Sequence, residues 1–439
     1  MRRKIVIVGA GGRDFHNFNT TFRGDDSVRV VAFTAAQIPG IEDRRYPVEL
    51  AGPLYPEGIP IVPQSKLEEL VREEQIDEIV FSYSDVPHES VMHIASQANA
   101  WGADFRVLGT RATCVKSTKP LIAVVATRTG CGKSQTTRRV AEILQAMGKK
   151  VVSIRHPMPY GDLRRQGVQR FATLEDMDKH ECTIEEREEY EPHVVAGNVI
   201  YAGVDYEAIV REAEKEADVI LWDGGNNDFS FYQADLTITV FDPHRPGHEL
   251  SYYPGEVNLH LTDVAVINKM ETAPPEGIET VRANVRRFRP DAVIVEGASP
   301  VTVSDPSVIR GKRVLVVEDG PTLTHGGMKY GAGIVAAQKH GAAELVDPRP
   351  YLVGELKDTF ATYPGIGSLL PAMGYGPQQV KDLEATINGT DCDAVVVATP
   401  IDLGRLVKIQ KPSVRVEYSL VEIGRPNLTD VLETFFQKR

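Results

Sequence analysis

A glycine-rich turn at residues 129–134 is the stretch of this sequence best suited to chemistry. It follows an apolar run at 121–126 and precedes a helical pattern at 135–147. Glycines let backbone N–H groups approach phosphate oxygens, and a helix N-terminus favours anions. Lys133 suits the β- and γ-phosphates of a nucleotide, and the Ser134 hydroxyl suits Mg²⁺. The pattern predicts a P-loop whose nucleotide contacts are Thr129, Gly130, Cys131, Gly132, Lys133, Ser134 and Gln135.

The turn departs from the usual P-loop spacing at one position. Thr127 stands where the first glycine is expected. A strand–turn–helix that contains Gly-Lys-Ser by chance is the alternative interpretation, and the flanking strand and helix patterns disfavour it.

A second motif supplies a carboxylate. Apolar residues 219–222 are followed by Asp223 and two glycines, which is the Walker-B arrangement for holding Mg²⁺ near a γ-phosphate. Asn227 follows and is a candidate substrate contact. An ordinary buried strand that ends in an Asp turn is the alternative.

Cationic side chains follow two further strands. Arg155 and His156 come after the strand at 150–154, and His325 and Lys329 lie in a glycine-rich segment. Arginine binds anionic oxygens well, so we predict that these four residues bind an anionic substrate. We expect Lys133, Asp223 and Arg155 to be catalytic. A surface arginine and a purely structural glycine turn are the alternatives.

The N-terminal strand at 5–8 runs into a glycine-rich turn at 9–16. Arg13 and His16 of this turn are candidate substrate contacts, because ligands bind beyond the carboxyl ends of parallel strands; turn formation and helix capping are an equal alternative. Asp14 occupies the place of the third glycine of a dinucleotide-binding turn. An NAD-binding oxidoreductase is therefore a weak interpretation.

Asn268 and Lys269 follow another strand and are similar to the base-binding element of GTPase-like P-loop proteins. Glu271 stands two residues after the lysine, at the position where guanine selection needs an Asp. We therefore expect Asn268 and Lys269 to contact the nucleotide, and adenine to be the base.

Strands alternate with helical patterns along most of the chain, which predicts an α/β fold with parallel sheets. We predict a Rossmann-like N-terminal domain at 1–118, a P-loop NTPase-type parallel-sheet domain at 119–300 and a C-terminal α/β extension at 301–439 that completes the substrate site. The acidic stretch at 175–191 is interpreted as a solvated insertion that acts as a lid.

Composition narrows the classes of function. The 439 residues have a formal net charge of −12, 42% hydrophobic content and four cysteines without a CxxC pair. An acidic protein disfavours general nucleic-acid binding, and no apolar run is long enough to span a bilayer. The cysteine pattern indicates neither a disulfide framework nor a zinc site. We expect a cytoplasmic protein with no nucleic-acid or membrane partner.

Four segments together resemble cyclic 2,3-diphosphoglycerate synthetase and its relatives. They are the turn at 9–16, the P-loop at 129–134, the Asp223 segment at 222–228, and residues 318–322 with 324–328. The resemblance implies an ATP- and Mg²⁺-dependent homodimer, with a monovalent cation left open as a further cofactor. It also implies formation of an intramolecular phosphoanhydride in 2,3-diphosphoglycerate, with phosphorylation of 2-phosphoglycerate as a related activity.

The leading hypothesis is therefore an ATP-using phosphoryl-transfer enzyme that acts on a small anionic acid. A regulatory or metallochaperone-type GTPase would use the same loop and Asn268-Lys269 without turning over a small molecule. A kinase or ligase for another small acid is also open.

Overall fold

Three main β-sheets, one for each successive part of the chain, organise the structure. In this computed structural model the described residues are 2–36, 44–156, 161–225, 228–320, 323, 329–373 and 376–439. Each sheet consists mostly of parallel strands whose connections include helices, so the predicted α/β class is confirmed.

The N-terminal sheet has the strand order β3-β4-β2-β1-β5-β7, and all neighbours except β3 and β4 are parallel. The strands of this part are β1 Arg3–Val8, β2 Val28–Ala35, β3 Arg45–Tyr46, β4 Ile59–Pro63, β5 Glu78–Phe81, β6 Val86–Pro87 and β7 Asp104–Val107. Its helices are α1 Arg13–Asn17, α2 Val48–Ala51, α3 Leu67–Glu74, α4 His88–Trp101 and α5 Thr110–Thr113. The strand–helix alternation matches the sequence pattern, while the Rossmann-like relationship stays a prediction.

The central sheet has nine strands, eight of them from this part of the chain, and carries the P-loop. The strands of this part are β8 Leu121–Ala126, β9 Val151–Arg155, β10 Gln169–Phe171, β11 Val199–Ala202, β12 Val219–Asp223, β13 Leu236–Phe241, β14 Tyr252–Tyr253, β15 Val264–Ile267 and β16 Val293–Ala298. Strand β14 lies outside the central sheet and pairs with β6. The helices are α6 Lys133–Ala146, α7 Leu174–Lys179, α8 Ile184–Val195, α9 Tyr206–Ala213, α10 Gly255–Leu261 and α11 Pro275–Phe288.

The order of these strands explains how distant motifs meet. It runs β10-β11-β9-β12-β8-β13-β15-β16, with a short C-terminal strand at the end. All residues of β8 and β12 are buried, as continuous apolar runs in the middle of a parallel sheet require. Because β12 is the parallel neighbour of both β8 and β9, the residues that follow all three strands share one edge of the sheet.

The C-terminal part forms a third sheet, and only its end returns to the central one. The strands are β17 Val301–Val303, β18 Arg313–Asp319, β19 Glu344–Leu345, β20 Leu370–Ala372, β21 Ala394–Ala398, β22 Ser413–Tyr418 and β23 Val421–Glu422. The helices of this part that the structure describes are Ala332–Lys339, Leu356–Thr362, Pro377–Gly389 and Leu428–Gln437.

The end of the chain crosses the predicted boundary at 301. Strand β23 pairs antiparallel with β16 of the central sheet. Leu428 and Leu432 of the last helix pack into the hydrophobic core beneath β8 and α6. The residues after 420 therefore belong structurally with the central sheet rather than with the extension.

Candidate active site

The P-loop runs from the carboxyl end of β8 into the first turn of α6. Gly130 and Gly132 have φ angles of 81° and 104°, a region that residues with a Cβ rarely adopt. At Gly132 an added Cβ would lie 2.1 Å from Nδ2 of Asn268. Helix α6 begins at Lys133, so its free N-terminal N–H groups face the loop. The predicted strand, loop and helix are all observed.

Asn268 and Lys269 support the P-loop from the carboxyl end of β15. Asn268 Nδ2 donates to the carbonyl oxygen of Cys131 at 2.9 Å, and Lys269 Nζ donates to that of Gly130 at 2.5 Å. Glu271 accepts a hydrogen bond from the Ser299 backbone N–H at 2.8 Å. Contact of Asn268 and Lys269 with the base, and the preference for adenine, stay predictions that competition between ATP and GTP for binding would test.

Asp223 is the centre of a buried polar cluster at the end of β12. Its Oδ1 lies 2.5 Å from Lys133 Nζ, 3.2 Å from Arg155 Nη1 and 3.0 Å from Thr137 Oγ1. Its Oδ2 lies 3.3 Å from Nε2 of His193. Burial alone would raise the pKa of Asp223, but Lys133 and Arg155 outweigh burial and hold this pKa well below its usual range. The three predicted catalytic residues therefore meet in one place, with Asp223 ionised.

The oxygen atoms at this edge suit a hard divalent cation. Asp223 offers a buried carboxylate. Ser134 directly follows Lys133 in the first turn of α6. Carboxylate and hydroxyl oxygens are ligands that Mg²⁺ accepts. Their residue types suit Mg²⁺, and the assignment of Ser134 and Asp223 as its ligands stays a prediction.

The acidic stretch is not a solvated insertion, and that expectation was wrong. Thr183 and Glu186 form a capping box that starts α8. Glu186 and His193 are buried, and Glu189 Oε1 lies 2.5 Å from Arg155 Nη2. The helix therefore forms one wall of the Asp223 cluster. His193 and Glu189 were not predicted as site residues, because the acidic composition suggested exposure to solvent. The Thr-x-x-Glu pattern at 183–186 is a signal for a helix N-terminus and could have predicted this helix.

The N-terminal sheet is tied to the P-loop by Asp85, in the loop after β5. Asp85 Oδ1 lies 2.5 Å from Nε of Arg128, and its Oδ2 accepts a hydrogen bond from the Thr129 backbone N–H at 3.2 Å. The first part of the chain therefore contacts the nucleotide loop directly.

The turn after β1 does not offer its N–H groups to a dinucleotide. Asp14 Oδ1 accepts hydrogen bonds from the backbone of Gly11, Gly12 and Phe15 at 2.7, 2.9 and 2.7 Å. The protein's own carboxylate thus fills the anion-binding turn, which disfavours the NAD interpretation.

Arg13, His16 and His156 come together where the two sheets meet. Arg13 Nε lies 3.1 Å from Asp228 Oδ1, and His156 Nε2 lies 3.7 Å from Asp228 Oδ2. His16 Nε2 lies 2.6 Å from the carbonyl oxygen of Thr113, and its ring stacks on another aromatic ring. The three predicted substrate residues therefore lie in one buried region near Asp228, which directly follows the Asp223 segment.

The two histidines do not supply positive charge. Burial, together with Arg155 and Arg13, lowers the pKa of His156 to about 3. Burial and Arg13 lower the pKa of His16 to about 3 as well. Both rings are therefore neutral in this structure, and binding of an anionic substrate by His156 stays a prediction.

The remaining predicted substrate residues are Asn227, His325 and Lys329. Asn227 and His325 lie outside the described residues. Lys329 has an exposed side chain, and its carbonyl oxygen accepts a hydrogen bond from the Gly367 N–H at 3.3 Å. Its role in substrate binding stays a prediction.

Comparison with known proteins gives one extensive match. Over 432 residues the chain is 62% identical to a protein of Thermococcus kodakarensis named arginine synthetase ArcE, and the alignment covers 98% of this chain and 96% of that protein. No protein-family model matches the chain.

Similarity to solved structures is more distant. The ATP complex of LpxK from Aquifex aeolicus is 12% identical, with 79% of this chain and 96% of that chain covered and a TM-score of 0.47. The cell division ATPase MinD of Pyrococcus furiosus is 17% identical over 38% of this chain and 80% of its own, with a TM-score of 0.24. Neither similarity is close enough to carry an argument about function.

Proposed function

The chain belongs to the family of arginine synthetase ArcE, and we propose that it is an ATP- and Mg²⁺-dependent synthetase that forms arginine. The observation that carries the proposal is the buried cluster in which Lys133 of the P-loop meets Asp223 and Arg155. An ATP-using enzyme needs these charges to bind and transfer a γ-phosphoryl group. The 62% identity to a protein named as a synthetase supplies the product.

The chemistry of a guanidino group suggests what the phosphoryl group is for. The ureido counterpart of arginine, citrulline, carries an oxygen where arginine carries its last nitrogen. If this oxygen attacks the γ-phosphorus, ADP leaves and the oxygen becomes part of a phosphate ester. Ammonia then adds to the carbon, the C–O bond breaks, inorganic phosphate leaves, and loss of a proton from nitrogen completes the group. Each bond formed is matched by one broken.

Lys133 and Arg155 have distinct parts in this proposal. Lys133 neutralises charge on the β- and γ-phosphates. Arg155, held between Asp223 and Glu189, is placed to stabilise the phosphoryl group as it moves, since an arginine supplies a permanent charge and two directed donors. Mg²⁺ bound by Ser134 and Asp223 would add Lewis-acid stabilisation.

Synthesis of cyclic 2,3-diphosphoglycerate is the second candidate, suggested by the resemblance of the glycine-rich segments. Arg13 and Arg155 favour it, because a doubly phosphorylated acid needs cations around it. Helix α8 argues against it, because Glu189 of this helix already pairs with Arg155 at 2.5 Å. A wall that already crowds carboxyl groups suits a nitrogen-rich substrate better than one with two phosphates.

The purified chain tests the proposal directly. With ATP, Mg²⁺, citrulline and ammonium, we expect arginine and ADP to form in equal amounts, and neither to form when citrulline is omitted. A parallel reaction with 2,3-diphosphoglycerate serves as the comparison. ATP turnover that depends on 2,3-diphosphoglycerate and not on citrulline would replace the first candidate by the second.

A further inference from the structure

Arg13 and Asp228 form a buried ion pair with unused hydrogen-bonding capacity. Arg13 is 5% exposed and Asp228 is 1% exposed. Arg13 Nε binds Asp228 Oδ1 at 3.1 Å, and Arg13 Nη2 donates to the carbonyl oxygen of Phe229. Within the described chain, Arg13 Nη1 has no hydrogen-bond acceptor, and Asp228 Oδ2 has no hydrogen bond of normal geometry. Buried groups of this kind are rare in native proteins, because an unmet donor or acceptor is costly.

Aromatic rings fix the plane of the Arg13 guanidinium. Its Cζ lies 3.8 Å from the ring centroid of Phe229 and 4.2 Å from that of Phe231. Such contacts stabilise the cation and leave only its edges for hydrogen bonding. Nε and Nη2 are already engaged, so Nη1 is the edge left for a ligand.

The described surroundings of Asp228 leave its Oδ2 without a strong hydrogen-bond donor. Burial raises the pKa of Asp228 to about 6, even though Arg13 and a weak hydrogen bond from the Ser84 side chain act to lower it. Nε2 of the neutral His156 is 3.7 Å from Oδ2, and the ring of His156 is confined by Gly12 and Gly225, where added Cβ atoms would come within 1.6 and 2.8 Å of it. A single positive ligand beside Oδ2 would satisfy the carboxylate.

We propose that Arg13 and Asp228 bind the α-carboxylate and α-ammonium groups of an amino-acid substrate. One donor edge and one acceptor atom remain on the same ion pair, which matches a zwitterion. A phosphate would be attracted by Arg13 but repelled by the carboxylate of Asp228, whose Oδ1 lies 3.1 Å from Arg13 Nε. The inference rests on the proposed function, because arginine and citrulline share this amino-acid head group.

The position of the pair agrees with a substrate that reaches toward the P-loop. His156 directly follows Arg155, whose Nη1 lies 3.2 Å from Asp223 Oδ1. Asp223 in turn binds Lys133. A head group held at Arg13 and Asp228 is therefore linked to the phosphoryl-transfer cluster through His156, whose pKa is lowered by burial and by Arg155, Arg13 and Lys133 alike.

Binding of three ligands tests the carboxylate and the ammonium of the head group separately. The probes are L-arginine, agmatine, which lacks the carboxylate, and 5-guanidinopentanoic acid, which lacks the amine. Calorimetry uses the full chain saturated with ADP and Mg²⁺. We expect each missing group to weaken binding about 10- to 150-fold, the worth of a charged hydrogen bond.

The variants assign each loss to one residue. In Arg13→Ala, arginine should bind no better than agmatine, while the affinity for agmatine stays unchanged. In Asp228→Asn, the preference for arginine over 5-guanidinopentanoic acid should disappear. Arg13→Lys keeps the charge without the planar fork and should give a partial loss. Arg23→Ala is the matched control, because Arg23 pairs with Asp205 at 3.2 Å elsewhere between the same parts of the chain.

The outcomes distinguish this inference from the proposed function. An unchanged preference for arginine over agmatine in both Arg13 variants would overturn the inference, whatever reaction the enzyme catalyses. If arginine and citrulline fail to bind but another α-amino acid binds in an Arg13-dependent way, the head-group site stands and the proposed product falls. If no α-amino acid binds the wild-type chain, the head-group site is refuted.

Discussion

Lys133 Nζ lies 2.5 Å from Asp223 Oδ1, so the lysine of the P-loop is bound by the Walker-B carboxylate. Lys133 follows β8 at the end of the P-loop, and Asp223 is the last residue of β12, the parallel neighbour of β8. Arg155 shares the same carboxylate oxygen at 3.2 Å. We expect that binding of a nucleotide transfers the Lys133 ammonium from Asp223 to phosphate oxygens and leaves the carboxylate available to Mg²⁺.

Lys133→Ala should abolish ATP turnover without unfolding the protein. The ammonium is needed for phosphate charge, whereas Asp223 keeps Arg155, Thr137 and His193 as partners. ADP release at saturating ATP is the measurement, and Lys150→Ala, at an exposed lysine, is the control. Wild-type turnover in the Lys133 variant would remove the P-loop assignment.

Asp223→Ala should cost more stability than Lys133→Ala. It leaves the buried cations of Lys133 and Arg155 without their shared carboxylate, and loss of one partner from a buried ion pair costs about 3–5 kcal/mol. Urea unfolding of the two variants measures the difference. Equal midpoints would show that the cluster is solvated enough to tolerate an unpaired charge.

His193 should act by positioning Asp223. Its Nε2 lies 3.3 Å from Asp223 Oδ2 and its Nδ1 lies 3.3 Å from Ser153 Oγ. We expect His193→Ala to lower kcat by about tenfold, because one hydrogen bond to a charged group is lost, while the KM for ATP changes little. His193→Gln should recover part of kcat. A change in KM alone would instead place His193 in nucleotide binding.

Glu318 should make stability fall as the pH rises. Burial raises the pKa of Glu318 to about 7, although backbone N–H groups of Ile334, Gly333 and Gly331 oppose this. The folded state thus holds the proton more tightly than the unfolded state. The contribution of Glu318 is largest below pH 4.5 and is lost as the pH rises through 7, by about 3 kcal/mol in total.

The variant Glu318→Gln isolates this contribution. It cannot titrate, so its free energy of unfolding should lack that decline between pH 4.5 and 7. Glu417→Gln, at an exposed position of β22, should keep the wild-type profile. Identical pH profiles for the wild type and Glu318→Gln would show that Glu318 titrates normally.

The parts of the site that follow strands could be predicted from the sequence, because parallel strands bring their carboxyl ends to one edge. That rule placed Lys133, Asp223 and Arg155 correctly. It also made Arg13 and His156 candidate substrate contacts on separate strands, although it could not show that they meet at Asp228 or that burial keeps His156 neutral. Charge state depends on neighbours that are distant in sequence, and composition does not report them.

The wall formed by α8 could not be predicted in the same way. Its acidic residues suggested solvent, yet Glu189 and His193 are drawn inward by Arg155 and Asp223. The return of β23 to the central sheet could be anticipated only as a general extension of that sheet by C-terminal segments, because a two-residue strand has no periodicity to read.

The fate of the ureido oxygen tests the central claim most directly. Citrulline labelled with ¹⁸O in its ureido group is converted with ATP, Mg²⁺ and ammonium, and the released phosphate is analysed by mass spectrometry. Direct transfer of the γ-phosphoryl group to the substrate predicts one ¹⁸O atom in each phosphate formed with arginine. Arginine formation that yields unlabelled phosphate, or AMP in place of ADP, would contradict the account.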